Sequence, residues 1–141
     1  MGALSSLKIL DFSTLLPGPL ATMFLADMGA DVISVSAPGK PDLMNNYPPM
    51  IEELGVSASY AWLGRNKRTI NLNLKKPQAV EAVKKMVREY DIVVEQFRPG
   101  VMKKLGLDYE TLRKENPALI YCSISGYGQT GPMALRPGHD I

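Results

Sequence analysis

The sharpest chemical pairing in the sequence is His139-Asp140, the only histidine of the chain beside a carboxylate, in the stretch Arg136-Pro137-Gly138-His139-Asp140-Ile141. Histidine titrates nearest neutrality and is suited to taking and returning protons. A lone histidine is more often an ordinary surface or core residue, but this one stands among Gly and Pro rather than on an apolar face. A second concentration is Arg65-Asn66-Lys67-Arg68, with Lys75 and Lys76 close behind. Two readings of it stand level. One is phosphate recognition by a guanidinium fork and an ammonium point charge. The other is a solvated cluster flanking a hydrophobic strand. A third candidate, Glu95-Gln96-Phe97-Arg98-Pro99-Gly100, either reaches a ligand or caps the next helix.

Two further motifs read as structural. Gly126-Tyr127-Gly128-Gln129-Thr130-Gly131 fits the dinucleotide fingerprint and follows an apolar run. Pro132 comes at once, however, with no helical periodicity after it, so the pattern predicts a loop and not an NAD site. Cys122, with apolar neighbours in a β-rich run, reads as a small buried hydrophobe rather than a nucleophile. No spacing of ligating residues suggests a metal site.

These residues need elements to place them. Residues 8–12, 31–35, 69–74, 91–95 and 119–125 are β-rich and read as strands. Between them, a helix opening near Pro19 carries Leu20, Met23, Phe24 and Met28 at helical spacing, with Gly29 as its stop. A helix over 77–90 shows the clearest stripe, made by Ala79, Val83, Met86 and Tyr90. Asp108 caps a short helix over 109–115. The stretch from Pro38 to about Trp62 reads as a long loop with a short helix. Alternating strands and helices predict an α/β fold, a Rossmann-like doubly wound and mainly parallel sheet. Ligands of such sheets sit beyond the carboxyl ends of the strands. Those ends carry residues 13–19, 36–40, 95–100 and 125–131.

Composition narrows the classes. The 141 residues suit one domain, and 45% hydrophobic with 21% charged residues is ordinary for a globular chain. A net charge of +2 is too small to imply nucleic acid. A single cysteine allows no internal disulfide and fits a reducing compartment. No segment has the apolar length that spans a bilayer, and no signal peptide is visible, so a cytoplasmic protein is expected. The ending at Ile141 reads as a truncation.

In this order, residues 7–13, Pro17-Gly18-Pro19, residues 25–33, Asn66-Lys67-Arg68, residues 72–75, 93–102, 116–125 and 126–132 together resemble the family III CoA-transferases, which include α-methylacyl-CoA racemase. The resemblance covers nearly the whole chain. It implies that residues 1–141 are the N-terminal portion of a CoA-binding domain, without the small domain and the C-terminal return segment. It implies an interlocked homodimer acting on acyl-CoA or CoA, with no cofactor beyond the CoA of the substrate. Leu72, Asn73, Leu74, Lys75, Gln96, Phe97, Arg98 and Lys104 fall on its CoA contacts, and Gly138 with the loop to Ile141 lies near the thioester. A basic contact that racemases place just after the second strand falls on Ala37.

The histidine at 139 resembles the racemase branch, where transferases usually carry an aromatic. The expected function is racemisation or epimerisation of 2-methyl-branched acyl-CoA thioesters. His139 would move the α-proton, backbone N–H groups near Asp140 would hold the enolate, and a later aspartate beyond Ile141 would be the second proton donor. The alternatives are CoA transfer between carboxylic acids through that aspartate, and an inactive CoA-binding fragment. By itself the 141-residue chain is expected to be inactive.

Overall fold

The centre of the molecule is set by strands apolar enough to be covered on both sides. In β1 (Lys8–Asp11), every residue after Lys8 is buried. It lies between β2 (Asp31–Ser36), buried at Val32, Ile33 and Val35, and β6 (Ile92–Glu95), apolar from Ile92 to Val94. Continuous hydrophobic runs are what interior parallel strands need. The edges are β5 (Lys67–Asn71) and β7 (Ile120–Ser123), where exposed residues interrupt the pattern. All four pairings are parallel, in the order β5-β2-β1-β6-β7. From β1 the chain moves outward through β2 to β5, then returns to β6 on the far side of β1. The computed structural model describes residues 2–40 and 42–138. The expected α/β architecture, a parallel sheet with helices on both faces, is what it contains.

Register divides the core in two. Leu10 pairs with Ile33 and Val93, and this row packs under α3 (Pro77–Val87), α4 (Val101–Leu105) and α5 (Tyr109–Leu112) through Val83, Val87, Met102 and Leu112. Ile9 pairs with Val32 and Ile92, and that face meets α1 (Pro17–Asp27) through Ala26. Asp108 caps α5 as expected, accepting from the Thr111 N–H at 2.8 Å.

Several local expectations need correction. The stripe on α1 is only partly the one expected: Met23 is buried and Leu20 half-buried, but Phe24 and Met28 are 53% and 44% exposed, and the rest of the inner face is Gly18, Pro19, Thr22 and Ala26. Small residues let that helix lie close to the sheet, so bulk was a poor guide to its inner face. Gly29 does end it, at φ +103°. The strand expected over 69–74 begins earlier and ends at Asn71, opposite Ser36, where β2 also ends. Leu72 and Leu74 then leave the sheet. The helix expected over 77–90 stops at Val87, although Tyr90 remains buried.

The stretch expected as a long loop is more ordered. It holds a short 3-10 turn at Leu43–Asn46, a hairpin of β3 (Met50–Ile51) and β4 (Val56–Ser57), and α2 (Ala58–Gly64). The Ser57 hydroxyl accepts from Tyr60 N–H at 3.0 Å, a cap that periodicity does not reveal. Cys122 is exposed, not buried. It sits on an edge strand with its exposed neighbour Ile120 on the same face, which no helix covers among the described residues. Among the described residues no helix is long and apolar enough to cross a membrane.

Candidate functional site

The loop that follows β1 is held by a buried polar knot. Asp11, at the carboxyl end of β1, accepts on Oδ1 from the Ser13 N–H at 2.9 Å and from the Ser13 hydroxyl. Its Oδ2 accepts from the Thr22 hydroxyl of α1 and faces Lys67 Nζ of β5 at 3.5 Å. Lys67 also donates to the Pro19 carbonyl and to Thr22 Oγ1, each at 2.7 Å. The two charged side chains are 4% and 1% exposed. Burial draws the Lys67 pKa below its ordinary value, with the Asp11 charge opposing the shift. A buried ion pair of this kind is tolerable because its remaining donors and lone pairs are occupied.

A second clamp reaches the same loop from β6. Gln96 accepts from Gly18 N–H at 3.1 Å and donates to the Thr14 carbonyl at 2.9 Å. Gly18 has no room for more, since a Cβ there would lie 2.2 Å from the Ser13 side chain. Between the clamps Leu15 is held at φ +62°, a strained conformation for a bulky residue, with its N–H donating to Asp42 at 2.9 Å. Strain of this kind persists only where surrounding contacts over-determine it.

Over this loop opens a cavity of about 450 Å³ at the carboxyl ends of β1, β2 and β5. Its walls include Phe12, Leu15, Val35, Leu72, Leu74, Phe97, Val101 and Leu105, with Ser13, Ser36, Asn73 and Asp42 as polar points. The cations on its lining are Lys40 and Lys75. An apolar cleft with a few placed polar groups at this end of a parallel sheet is the usual form of a ligand site.

Of the residues expected at the site, Leu72, Asn73, Leu74, Lys75 and Phe97 line this cavity together. Gln96 stands behind it, tied to the α1 loop. Arg98 and Lys104 are exposed and not on the lining, although Val101 and Leu105 of the neighbouring helix are. Gly138 lies against Gly126. His139 and Asp140 lie outside the described residues. Glu95 turns back to accept from Phe97 N–H at 2.8 Å, a loop-shaping contact. The turns after Gly131 do not form a helix among the described residues, so the fingerprint lacks the helix N-terminus that a pyrophosphate cradle uses.

The basic run is spent on acids of the sheet and α1. Arg65 and Asn66 both donate to Asp27, Lys67 reaches Asp11, and Arg68 grips Asp31 at 2.6 Å. The solvated reading fails at Lys67, which is buried, because the cations of this run are taken up by ion pairs, and phosphate recognition finds no support in the described contacts. The cation missed was Lys40. After Ala37 the chain turns through Gly39, and Lys40 N–H donates to the Ala37 carbonyl at 3.2 Å. That turn sets a lysine on the cavity where the sequence register offered only Ala37. The Asp11–Lys67 knot was also missed; its one signal was an aspartate ending an apolar strand. Among the described residues no cluster of His, Cys, Asp or Glu could hold a metal ion.

This arrangement is an α/β unit, a doubly covered parallel sheet with an apolar, lysine-edged cavity beyond its carboxyl ends, where folds of this class hold their ligands. The chain matches the profile of CoA-transferase family III over residues 4–141 and belongs to that family. It is 43% identical to the mouse succinyl-CoA:glutarate CoA-transferase over 141 residues, 99% of this chain and 32% of that protein. It is 40% identical to the human alpha-methylacyl-CoA racemase over 139 residues, again 99% of this chain and 32% of that protein. A solved CAIB/BAIF family protein from Brucella suis superposes with a TM-score of 0.90 at 40% identity, covering 99% of this chain and 37% of that one. The chain spans about a third of the length of the curated relatives it matches.

Proposed function

We propose that the chain forms the CoA-binding part of an enzyme acting on acyl-CoA thioesters, and that the reaction is α-proton transfer that racemises a 2-methyl-branched acyl group. The observation that carries CoA binding is the cavity. CoA combines a flat apolar base, anionic phosphates and a long flexible arm ending in sulfur. Leu72, Leu74 and Phe97 offer apolar walls, Lys40 and Lys75 offer cations, and Ser13, Ser36 and Asn73 offer polar groups. Lys40 takes the part of the basic contact that Ala37 cannot supply. Arg98 and Lys104 act, in this reading, on parts of CoA that extend outside the cavity. The enzyme works as a homodimer of full-length chains in the cytoplasm.

The choice of reaction rests on His139. Its imidazole takes the α-proton from one face of the acyl group, and the electron pair moves onto the thioester oxygen. Backbone N–H groups near Asp140 and Gly138 stabilise that oxygen, the kind of electrostatic assistance that preorganised donors provide. A carboxylate from the remainder of the full-length chain returns a proton to the opposite face. In the full-length enzyme, His139→Ala should abolish α-deuterium exchange from one enantiomer of a 2-methylacyl-CoA. Undiminished exchange from both would remove His139 from the chemistry.

A second reading is favoured by a different observation, the 43% identity to a CoA-transferase against 40% to a racemase. Here the same cavity holds CoA while a carboxylate of the protein first takes the acyl group as an anhydride. The freed CoA thiolate attacks the protein's own carbonyl and releases the first acid. A second acid then takes CoA from that protein thioester through a second anhydride, which restores the carboxylate. A hydroxylamine-sensitive acyl-enzyme, formed without α-proton exchange, would establish this reading over the first.

A further inference from the structure

Beyond β7 the chain crosses itself. A Cβ placed on Gly126 would stand 2.4 Å from the Cα of Gly138, and one on Gly138 would stand 2.4 Å from the Cα of Gly126. Both obstacles are backbone, so neither can swing aside. The other glycines of the motif serve a different end. Gly128 and Gly131 have φ of +82° and +94° with open space where a Cβ would go, so they answer to turn geometry. Gly126 has no such φ, and its missing side chain answers to the crossing alone.

The crossing closes residues 126–138 into a compact loop of the Ω kind. Inside it, Ala134 N–H donates to the Gly131 carbonyl at 3.2 Å and Arg136 N–H to the Met133 carbonyl at 2.9 Å, while Ala134 is buried. The near end is fixed to the sheet, because Ile124 N–H donates to the Glu95 carbonyl at 2.8 Å. Contact with Gly126 therefore ties Gly138 to the carboxyl edge of the sheet. In the sequence Gly138 directly precedes His139.

The geometry points to Gly126 as a positioning residue, whose bare Cα lets the chain cross at Gly138 and so fixes the residue that directly precedes His139 in the sequence. The inference rests on the proposed role of His139 and adds a requirement remote from the reacting atoms. Displacement of about 1 Å in a group that must meet a reacting atom can cost on the order of a hundredfold in rate. An alanine at Gly126 must push the two backbones apart by at least several tenths of an ångström.

The test uses the full-length enzyme and acyl-CoA turnover. Gly126→Ala is expected to lower kcat by roughly ten- to a hundredfold and to leave CoA affinity, measured by calorimetry, close to wild type. Gly138→Ala should lower kcat from the other side of the crossing, and CoA affinity is read only in Gly126→Ala because Gly138 itself lies near the thioester in the proposed function. Gly64→Ala, where a Cβ meets nothing, is the control and should leave both quantities unchanged. Unchanged kcat in Gly126→Ala would overturn the inference, as would CoA affinity falling in step with kcat. Loss of cooperative unfolding in both crossing variants would make the contact a folding requirement and overturn it as well. Turnover lost in His139→Ala but kept in Gly126→Ala would sink the crossing's role alone. Turnover surviving His139→Ala would sink the proposed function, and the positioning role with it.

Discussion

Two groups of basic residues lie close in the sequence and do opposite things. Arg65, Lys67 and Arg68 stand at the amino end of β5, and each is engaged by an aspartate of β1, α1 or β2. Lys40 and Lys75 stand beyond the carboxyl ends of β2 and β5, line the cavity, and make no ion pair among the described residues. Density of charge drew attention to the first group. Position relative to the strand ends identifies the second. A cation at the amino end of a parallel strand meets the acids of neighbouring elements and welds the sheet. A cation at the carboxyl end faces the open side, where a ligand comes.

The largest effect that could break this contrast belongs to Lys67. Lys67→Met removes the partner of a buried carboxylate and should cost about 3–5 kcal/mol of unfolding free energy, read by urea denaturation. Because the knot also holds Ser13 and Pro19, CoA affinity should fall with stability. A variant of wild-type stability that had lost only CoA affinity would move Lys67 into the ligand-binding group and erase the distinction.

Lys40 and Lys75 should behave in the reverse way. Replacing either by alanine should weaken CoA binding by about 1.5 kcal/mol, roughly tenfold, as expected for a lost charged contact. The unfolding midpoint should hardly move, and the loss should shrink as salt is raised. Equal effects from Arg68→Ala would place the phosphates at the other end of β5. No effect from Lys40→Ala would leave the position of Ala37 without a substitute.

The sequence made the strands and their alternation with helices readable, because β1, β2 and β6 are short runs dominated by apolar residues and the helix over residues 77–87 carries a clear stripe. What it hid was contact between distant residues. Asp11, Thr22 and Lys67 share no local pattern, and only the pairing of β2 with β5 brings the lysine under α1. The inner face of α1 was obscured because close packing selected small residues there, while Phe24 and Met28 were left outside. Cys122 was misplaced because a β-rich run does not say whether its strand is interior or at an edge. Leu72, Leu74 and Phe97 were found through family resemblance rather than periodicity. Lys40 escaped because a turn, not a strand, carries it to the cavity.

The smallest expected effect lies at Arg65, and it tests whether the welded group acts through charge. Arg65 donates to Asp27 from Nε at 3.1 Å and from Nη2 at 2.5 Å, and its guanidinium lies 5.4 Å from the Trp62 ring centroid. The Arg65 hydrogen bond holds the Asp27 carboxyl below its ordinary 3.8, against the partial burial that would raise it, with Asn66 and the Arg65 charge adding to the effect. A carboxylate with a depressed folded pKa adds stability above its unfolded value, and that contribution disappears as pH falls through the folded one. Arg65→Gln should therefore lower the melting temperature slightly at pH 7. The pH-dependent part of the gap should close once both proteins are acidified well below 3.8. The Asn66 bond keeps part of the depression in the variant, so the pH-dependent part of the gap is smaller than the full depression would give. The lost stacking on Trp62 should leave a small offset that pH does not touch. A gap independent of pH throughout would mean that Arg65 works only by packing, and the welding of β5 would then rest on Lys67 and Arg68.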